Sequence, residues 1–475
     1  MFLKTVKRAL FATFALAISS VCADNQTTTL SQIFSGEDLP FQVQIEQADF
    51  SLPNGIHSYA LGIHKGVWLF VAGRTNGLHG FAPADNFPPS QQNTVVYVVD
   101  PVNKTTFSRS LTDPTSGLTQ EQVDLLSVTS PQSYQSKKTL YMTGGYGVDS
   151  STGDFSTKDV LSAINVPGLM HWVVDPSPGE TAAQHIRQIS NPIFQITGGD
   201  MYEGKDHITL LIFGQDFTGA YVDASDGTYS RQVRRFRIHD DGEKLSVRVY
   251  PPFPFVPDPS FRRRDLNVVP TVVFEKGKLT KKFVAYSGVF TPTTGIWTVP
   301  VEISDKGVTS MADPNLSSTF KQGMNNYVCP TLGLFSKKHK NMYTVIFGGI
   351  SFGFWQNGVF QTDSEIPFIN QVTTIQIDKH GNYTQYLMDA EYPVILSTQS
   401  NPGNQLLFGA GAFFIPADDL PTYNNGVVKM NSLGRDPILV GYIVGGIQST
   451  LANTNVITDS AASPYIFNVI FTPNP

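Results

Sequence analysis

The sequence predicts an all-β fold built from a repeated unit, and three observations support this. The chain has 475 residues, of which 41% are hydrophobic and 12% aromatic, so it can bury a large core. Its 40 glycines and 31 prolines imply frequent turns. Short apolar, β-branched runs ending in glycine recur along the chain, with little amphipathic helical periodicity between them. One long all-β domain therefore accounts for this length better than two or three smaller domains.

The repeat is anchored on six glycines, each preceded by four or five apolar residues, as in WLFVAGR, TLYMTGGYG and YTVIFGGIS. The anchors are Gly73, Gly145, Gly214, Gly288, Gly349 and Gly446. We expect glycine here because the strand ends in a sharp turn close to a neighbouring unit, where a Cβ would obstruct the approach. The pattern predicts six copies of one supersecondary unit.

Each unit contains four predicted strands. The first precedes the glycine-ending strand, as in HSYALGI, LLSVTS and FQITGG; an alternating third and a more polar fourth follow, as in NTVVYVVD and LSVRVYP. Six such units predict a six-bladed β-propeller of four-stranded antiparallel blades. The N-terminal strand FQVQIEQADF would complete the last blade beside YIFNVIF and close the ring. The longest gap between anchors leaves seven blades as an alternative, with the extra blade around residues 407–414.

The unit resembles the kelch repeat, in which a second strand ends in Gly-Gly and a third follows the pattern N-x-V-x-x-x-D. The best matches are residues 140–145, 345–349 with 370–378, and 440–446. The third and fourth units keep a single glycine, and units of about 70 residues exceed the usual ~50. The resemblance implies a divergent, exported and bacterial kelch-like propeller.

Residues 1–23 have the features of a secretory signal peptide, with a basic start, an apolar stretch and a cleavage position after Ala23. Lipidation at Cys22 is the alternative, although the valine before it fits that site poorly. Cleavage leaves Cys329 as the one cysteine, so an intramolecular disulfide is excluded. We expect residues 24–475 to form a single propeller domain that is secreted or periplasmic, monomeric and without a membrane span.

Charge and motif content exclude several functions. Charged residues make up 15% of the chain and the net charge is −6, which argues against a nucleic-acid-binding surface. The nine histidines show no zinc-binding spacing, and neither a G-x-S-x-G nucleophile motif nor a phosphate-binding P-loop occurs. We expect no metal and no cofactor.

Candidate binding residues lie on the loops that enter the first strand or join the second and third strands, since these open on one face around the channel. They are Arg74, Asn76, His79, Tyr146, Asp216, Arg262, Arg263, Arg264, Asp265, Asn326 and Trp355. The run FRRRDLN would clamp a carboxylate or phosphate, or would pair across blade junctions. The loop GRTNGLHG would place a general acid or base beside an anion-binding arginine, or would simply bond its own backbone.

Two functions follow from these residues. The first is a non-catalytic module that binds a glycan, an envelope component or another protein through the loop face. The second, implied by resemblance to periplasmic kelch propellers that interconvert sialic-acid anomers, is an enzyme acting on an acidic sugar. In that enzyme Arg74 or the arginines of FRRRDLN would hold the carboxylate, and His79 or Asp265 would move the proton. The sequence favours the binding module, and convergence of these residues in one funnel would favour the enzyme.

Overall fold

The protein is an all-β propeller with four-stranded antiparallel blades. The computed structural model describes residues 30–82, 86–222, 225–292 and 295–474, and the predicted signal peptide lies outside them. Most strands belong to six large sheets, which are numbered 1 to 6 here in the order in which their central strands occur along the chain. The strands of sheets 1 and 2 are Ala60–His64, Val67–Val71, Val95–Asp100 and Thr105–Ser110, then Gln132–Ser136, Thr139–Thr143, Val160–Asn165 and Ile186–Ser190. Those of sheets 3 and 4 are Asp200–Glu203, Thr209–Ile212, Val233–Asp240 and Leu245–Phe253, then Asn267–Glu275, Lys278–Tyr286, Val301–Ser304 and Thr309–Met311.

Sheets 5 and 6 draw on chain segments from outside their own repeat. The central strands of sheet 5 are Thr331–Ser336, Asn341–Ile350, Phe368–Ile377 and Tyr383–Glu391. Ile33–Ser35 adds in parallel to the last of these and Val428–Lys429 to the first. Sheet 6 contains Ala412–Pro416, Ile438–Gly445, Tyr465–Pro473 and the N-terminal strand Phe41–Ser51, which pairs antiparallel with Tyr465–Pro473.

The prediction of four-stranded antiparallel blades is confirmed, and among the described residues sheet 5 is the one large sheet that departs from it. Five sheets have four antiparallel strands, whereas sheet 5 has six strands because two short segments cover its edges. Backbone groups at a sheet edge need hydrogen-bond partners, and these additions supply them. Residues 407–414, proposed as a possible seventh blade, lead into the edge strand Ala412–Pro416 of sheet 6.

Shorter elements decorate the sheets. The two-stranded ribbons are Tyr146–Val148 with Phe155–Thr157, Gln215–Asp216 with Thr228–Tyr229, Gly353–Gln356 with Val359–Thr362, and Ile447–Ser449 with Ser460–Ala462. The 3₁₀ turns are Gly36–Asp38, Pro89–Gln91, Pro114–Ser116, Ala182–His185, Pro192–Phe194, Lys205–His207, Pro259–Phe261, Met430–Ser432 and Ile457–Asp459.

The structure contains two α-helices that were not predicted from the sequence, Gln120–Leu126 and Val166–Val174. The first begins with a capping box in which Thr119 and Gln122 bond each other's backbone, a pattern that TQEQ encodes. The second buries Leu169 and Trp172 in a core shared with sheets 1 and 2. Neither helix has the length and hydrophobicity needed to cross a membrane, within the described part of the chain.

The anchor glycines occupy a repeated left-handed turn at the end of each second strand. Two consecutive residues there have positive φ: Ala72 and Gly73, Gly144 and Gly145, Phe213 and Gly214, Ser287 and Gly288, Gly348 and Gly349, Gly445 and Gly446. A Cβ on Gly145 would lie 2.6 Å from a methyl of Val128 in its own repeat, whereas one on Gly144 would lie 2.0 Å from the carbonyl oxygen of Ile196 in the next repeat. At Gly144 the neighbouring repeat therefore excludes a side chain, and at Gly145 Val128 of the same repeat does so.

Two predicted first strands, LLSVTS and FQITGG, are displaced in the structure. The first strands of sheets 2 and 3 begin later, at Gln132 and Asp200. Leu126, Val128, Phe194 and Ile196 of these segments are buried. Val128 and Ile196 pack under the glycine turns, where they contact the positions of Gly145 and Gly214. Burial without regular pairing thus produced the same pattern as a strand.

Six chain segments that enter the first strands meet around the central channel, in a constriction that we call the waist. Its residues are Ser58, Ser130, Gly198, Asp265, Val328 and Gly411, and all have φ between 48° and 67°. Backbone hydrogen bonds join neighbours: Ser130 N–H donates to the Ser58 carbonyl at 3.1 Å, and Ser58 N–H donates to the Gly411 carbonyl at 2.9 Å. The waist separates a cavity on the loop face from a second cavity among the first strands.

Candidate functional site

The larger cavity, called the mouth cavity, has a volume of about 740 Å³ and opens on the face that carries the predicted binding loops. All six waist residues line it, together with loops that join second and third strands. Among the residues predicted from sequence, His79, Tyr146, Arg264 and Asp265 contribute to its wall. The volume lies within the range of small-molecule sites, about 300–1,000 Å³.

Arg264 is the centre of the cavity's charged cluster. Its Nε donates to the Tyr229 hydroxyl at 3.0 Å, one terminal nitrogen donates to the Tyr221 hydroxyl, and the other forms an ion pair with Asp265. Burial opposes the charge, but Asp265 and the two tyrosines outweigh it and raise the pKa of Arg264 above its ordinary value. The arginine is therefore a fixed cation whose charge is offset by one neighbouring carboxylate.

His79 belongs to an aromatic wall beside this cluster. Its ring stacks on Phe87 with centroids 4.7 Å apart and contacts Tyr221 edge-on at 5.0 Å. The Tyr221 N–H also donates at 2.9 Å to Oδ1 of Asn86, which lies in the loop after the second strand of sheet 1. Tyr221 consequently links the histidine to Arg264, and residues from three repeats share one surface.

Two histidines in the cavity wall are held neutral. Burial, with the charge of Arg74, lowers the pKa of His57 to about 3. Burial also lowers the pKa of His79 to about 4, although its Nδ1 lies 3.1 Å from the Gly80 carbonyl. Both imidazoles are therefore in the neutral form at pH 7 and contribute uncharged polar and aromatic surface to the cavity.

Substituting His79→Gln should make stability less dependent on pH between about 6.5 and 4. An unfolded histidine binds a proton below about 6.5 while folded His79 stays neutral down to about 4, so the wild-type protein loses stability as pH falls through this window. Chemical denaturation at several pH values measures the slope. His380→Gln, at an exposed hairpin, is the matched substitution, and an equal loss of slope there would contradict the assignment to His79.

The three consecutive arginines of FRRRDLN separate into three environments. Arg263 is fully buried in the body of sheet 4, where it donates to the carbonyls of Ser287 and Val299 at 3.2 and 2.8 Å. Arg262 lies over the ring of Tyr229 at 4.0 Å and forms an ion pair with Asp226. Arg264 alone lines the mouth cavity.

Arg74 and Asn76 stay within their own loop. The Arg74 side chain is buried; its Nε donates to Asn76 Oδ1 at 2.9 Å and its Nη2 to the Pro88 carbonyl at 2.9 Å, with Phe87 stacked 5.0 Å away. Burial lowers its pKa to about 10. Arg74 therefore supports Phe87 from beneath rather than lining the cavity.

Three other predicted residues also lie outside the cavity wall. Asp216 pairs with Thr228 in a ribbon, and burial raises the pKa of its carboxyl. Asn326 is buried and donates to the Gly348 carbonyl at 2.6 Å. Trp355 packs edge-on against Phe360 in the ribbon after sheet 5's second strand. These side chains organise loops.

Sequence reasoning missed most of the aromatic wall. Beside His79, Tyr146 and Tyr327, the mouth cavity is lined by Phe81, Phe87, Phe217, Tyr221, Phe290 and Phe368. Their residue types gave a signal, since five of the six lie in the predicted loops after second strands. An aromatic residue in a loop packs inward as often as it faces a ligand, so the sequence offered no way to choose among them.

No group of three or more His, Cys, Asp or Glu side chains is arranged to hold a metal ion in the described ranges. No protein-family model matches the chain, and a search of curated proteins finds no match. Among solved structures, the chain is similar to the one described as "Structure of YjhT", with a TM-score of 0.43 and 12% sequence identity over 89% of this chain and 96% of that chain.

Proposed function

We propose that the protein is a binding module whose mouth cavity takes a sugar-sized polyhydroxylated ligand. The observation that supports this most is the convergence of segments from all six sheets on one cavity with an aromatic wall and a single fixed arginine. Aromatic faces pack against the C–H faces of a sugar, while a few directed polar groups set its orientation. Ser364, Asn453 and Asn455 in the lining supply such polar groups.

Charge favours a neutral ligand over an acidic one. Arg264 is offset by Asp265, and Glu365 adds a further carboxylate at the rim. A ligand carboxylate would have to compete with Asp265 for the guanidinium, at the cost of exposing that carboxylate to another negative charge. Neutral sugars avoid this cost.

The second candidate is an enzyme acting on an acidic sugar. It is favoured by the approach of His79, Arg264 and Asp265 in one cavity, which supplies a cation with a possible proton acceptor beside it. Arg74, Arg262 and Arg263 do not join them, so the carboxylate clamp would rest on Arg264 alone. The low pKa of His79 leaves Asp265 as the group that would move a proton.

A thermal-shift and calorimetry panel tests both functions on residues 24–475. Neutral mono- and disaccharides should raise the melting temperature more than uronic or sialic acids do. Arg264→Gln should weaken binding about tenfold or more, because a charged hydrogen bond contributes about 1.5–3 kcal/mol. Arg248→Gln, an exposed change on the outer strand of sheet 3, should leave affinity unaltered.

Two other outcomes of the panel would contradict the proposed binding of neutral sugars. Binding confined to acidic sugars, with faster anomer exchange by NMR that is lost in Asp265→Asn, would establish the enzyme instead. No shift with any sugar, together with capture of a protein partner through the loop face, would overturn the small-ligand proposal.

We also infer that the ring has six blades, with sheet 5 as the six-stranded member. The six waist residues and the six paired glycine turns support this count. Closure by the N-terminal strand is supported by its pairing with Tyr465–Pro473, and Gly446 N–H donates to the Ile56 carbonyl at 2.9 Å between the last and first repeats. The kelch-like assignment and export after cleavage near Ala23 belong to the same proposal.

A further inference from the structure

A second cavity lies on the other side of the waist, among the first strands of the sheets. This lower cavity has a volume of about 340 Å³, at the small end of ligand sites. It shares the six waist residues with the mouth cavity and extends past them to residues such as Asp200, Tyr202 and Phe414. The proposed sugar site does not use this space.

The lining of the lower cavity is negatively charged. Its only charged side chains, among described residues, are Asp200 and Asp265, and no lysine, arginine or histidine contributes. Asp265 already pairs with Arg264 on the mouth side. Asp200 accepts a hydrogen bond from Met201 N–H at 2.8 Å, lies 3.4 Å from the Tyr202 hydroxyl oxygen, and has no ion pair within the described chain.

Aromatic rings accompany this carboxylate. Tyr202, Phe413 and Phe414 line the same cavity and are partly exposed, whereas Tyr59 is fully buried between Phe70 and Phe413. The hydroxyls of the two tyrosines are engaged with backbone carbonyls, Tyr59 with Val444 and Tyr202 with Val268, so their rings are held in place. A carboxylate without an ion pair, in a cavity that also exposes aromatic rings, is the chemistry that binds ammonium groups.

We propose that the lower cavity binds a small organic ammonium ion, with Asp200 as its counter-ion. A metal ion is less suited to this site, because it requires several oxygen ligands and the lining offers one unpaired carboxylate. An alkylammonium uses one carboxylate and the aromatic faces, and its methylene groups tolerate the surrounding prolines and valines.

Protonation of Asp200 should compete with the ligand. Burial raises the pKa of Asp200 to about 7, against the weaker opposing hydrogen bond from Met201 N–H. The other titratable groups of the lining are Tyr59, Tyr202, Cys329 and Asp265; burial raises the pKa of both tyrosines and of the thiol, so these three stay protonated and neutral. Affinity for an ammonium ion should therefore fall as pH drops from 8 to 6.

Isothermal titration of residues 24–475 with choline and with putrescine at pH 8 tests the proposal. At least one of the two amines should bind with a dissociation constant below about 1 mM, and Asp200→Asn should weaken its binding tenfold or more. Asp241→Asn, on an exposed hairpin, is the matched control and should bind as the wild type does. A neutral sugar should leave the amine titration unchanged, which separates this site from the proposed sugar site.

Three results would overturn the proposal: no heat with either amine at 10 mM, full affinity in Asp200→Asn, or displacement of the amine by equal concentrations of potassium or calcium. Asp200→Asn should fold, because removing a desolvated carboxylate raises stability at pH 8. Asp200→Ser offers a second variant with a smaller side chain if the amide does not fit.

Discussion

Replacing Arg263 with alanine should destabilise the protein by about 3 kcal/mol or more, although the residue lies in a run that resembles a ligand clamp. The side chain is fully buried, stacks on Trp297 at 4.7 Å and donates to the carbonyls of Ser287 and Val299. Alanine would leave a cavity together with carbonyl oxygens that have lost their donors, and an orphaned buried acceptor costs about 1–3 kcal/mol.

Urea denaturation followed by circular dichroism measures this effect. Arg248→Ala, at an exposed position of sheet 3 where the guanidinium lies over Tyr250, is the matched control and should cost less than about 0.5 kcal/mol. Burial lowers the pKa of Arg263 to about 9, which shows that the charge itself is disfavoured there. A variant as stable as the wild type would mean that this desolvation cost cancels the stabilisation from the packing and the hydrogen bonds.

The fate of FRRRDLN shows why a charge run is ambiguous in sequence. Consecutive side chains leave the backbone in different directions, so one of the three arginines enters the sheet, one covers a tyrosine and one lines the mouth cavity. The sequence predicts a cluster of cations at the mouth of the channel. It does not contain the direction of each side chain, because the turn at Pro259–Phe261 and the left-handed Asp265 set that direction.

The glycine anchors, in contrast, were predictable at residue level. All six have positive φ, and at each a Cβ would approach a neighbouring atom within 3.2 Å. Local backbone geometry selects glycine directly, so its signature survives in a single sequence. The third strands were predictable for a similar reason, since burial between neighbours gives Val95–Asp100 and Val160–Asn165 nearly continuous apolar character.

What sequence could not supply is the contact between distant loops. Tyr221 lies in the mouth cavity because Asn86, from another repeat, accepts its backbone N–H and Arg264, from a third, donates to its hydroxyl. Each loop looks polar and irregular by itself. The aromatic wall exists only once the ring brings three repeats together, and that is a long-range property of the fold.

Gly445→Ala should cost about 3 kcal/mol of stability or prevent folding. A Cβ there would lie 2.3 Å from the carbonyl oxygen of Ile56, at the junction between the last and first repeats. Left-handed backbone alone does not forbid alanine, because Ala72 occupies the equivalent position of sheet 1 with φ of 66°. The clash with Ile56 is thus the dominant cost.

Gly153→Ala isolates the conformational part of that cost. Gly153 has φ of 78° and open space around the position of a Cβ, so alanine there should lose about 1–2 kcal/mol from backbone strain alone. Thermal and urea unfolding of both variants give the difference. If Gly445→Ala loses more stability than Gly153→Ala, the excess comes from the contact between the last and first repeats. Equal losses would mean that the backbone at this junction shifts without cost, and that stability does not depend on tight packing there.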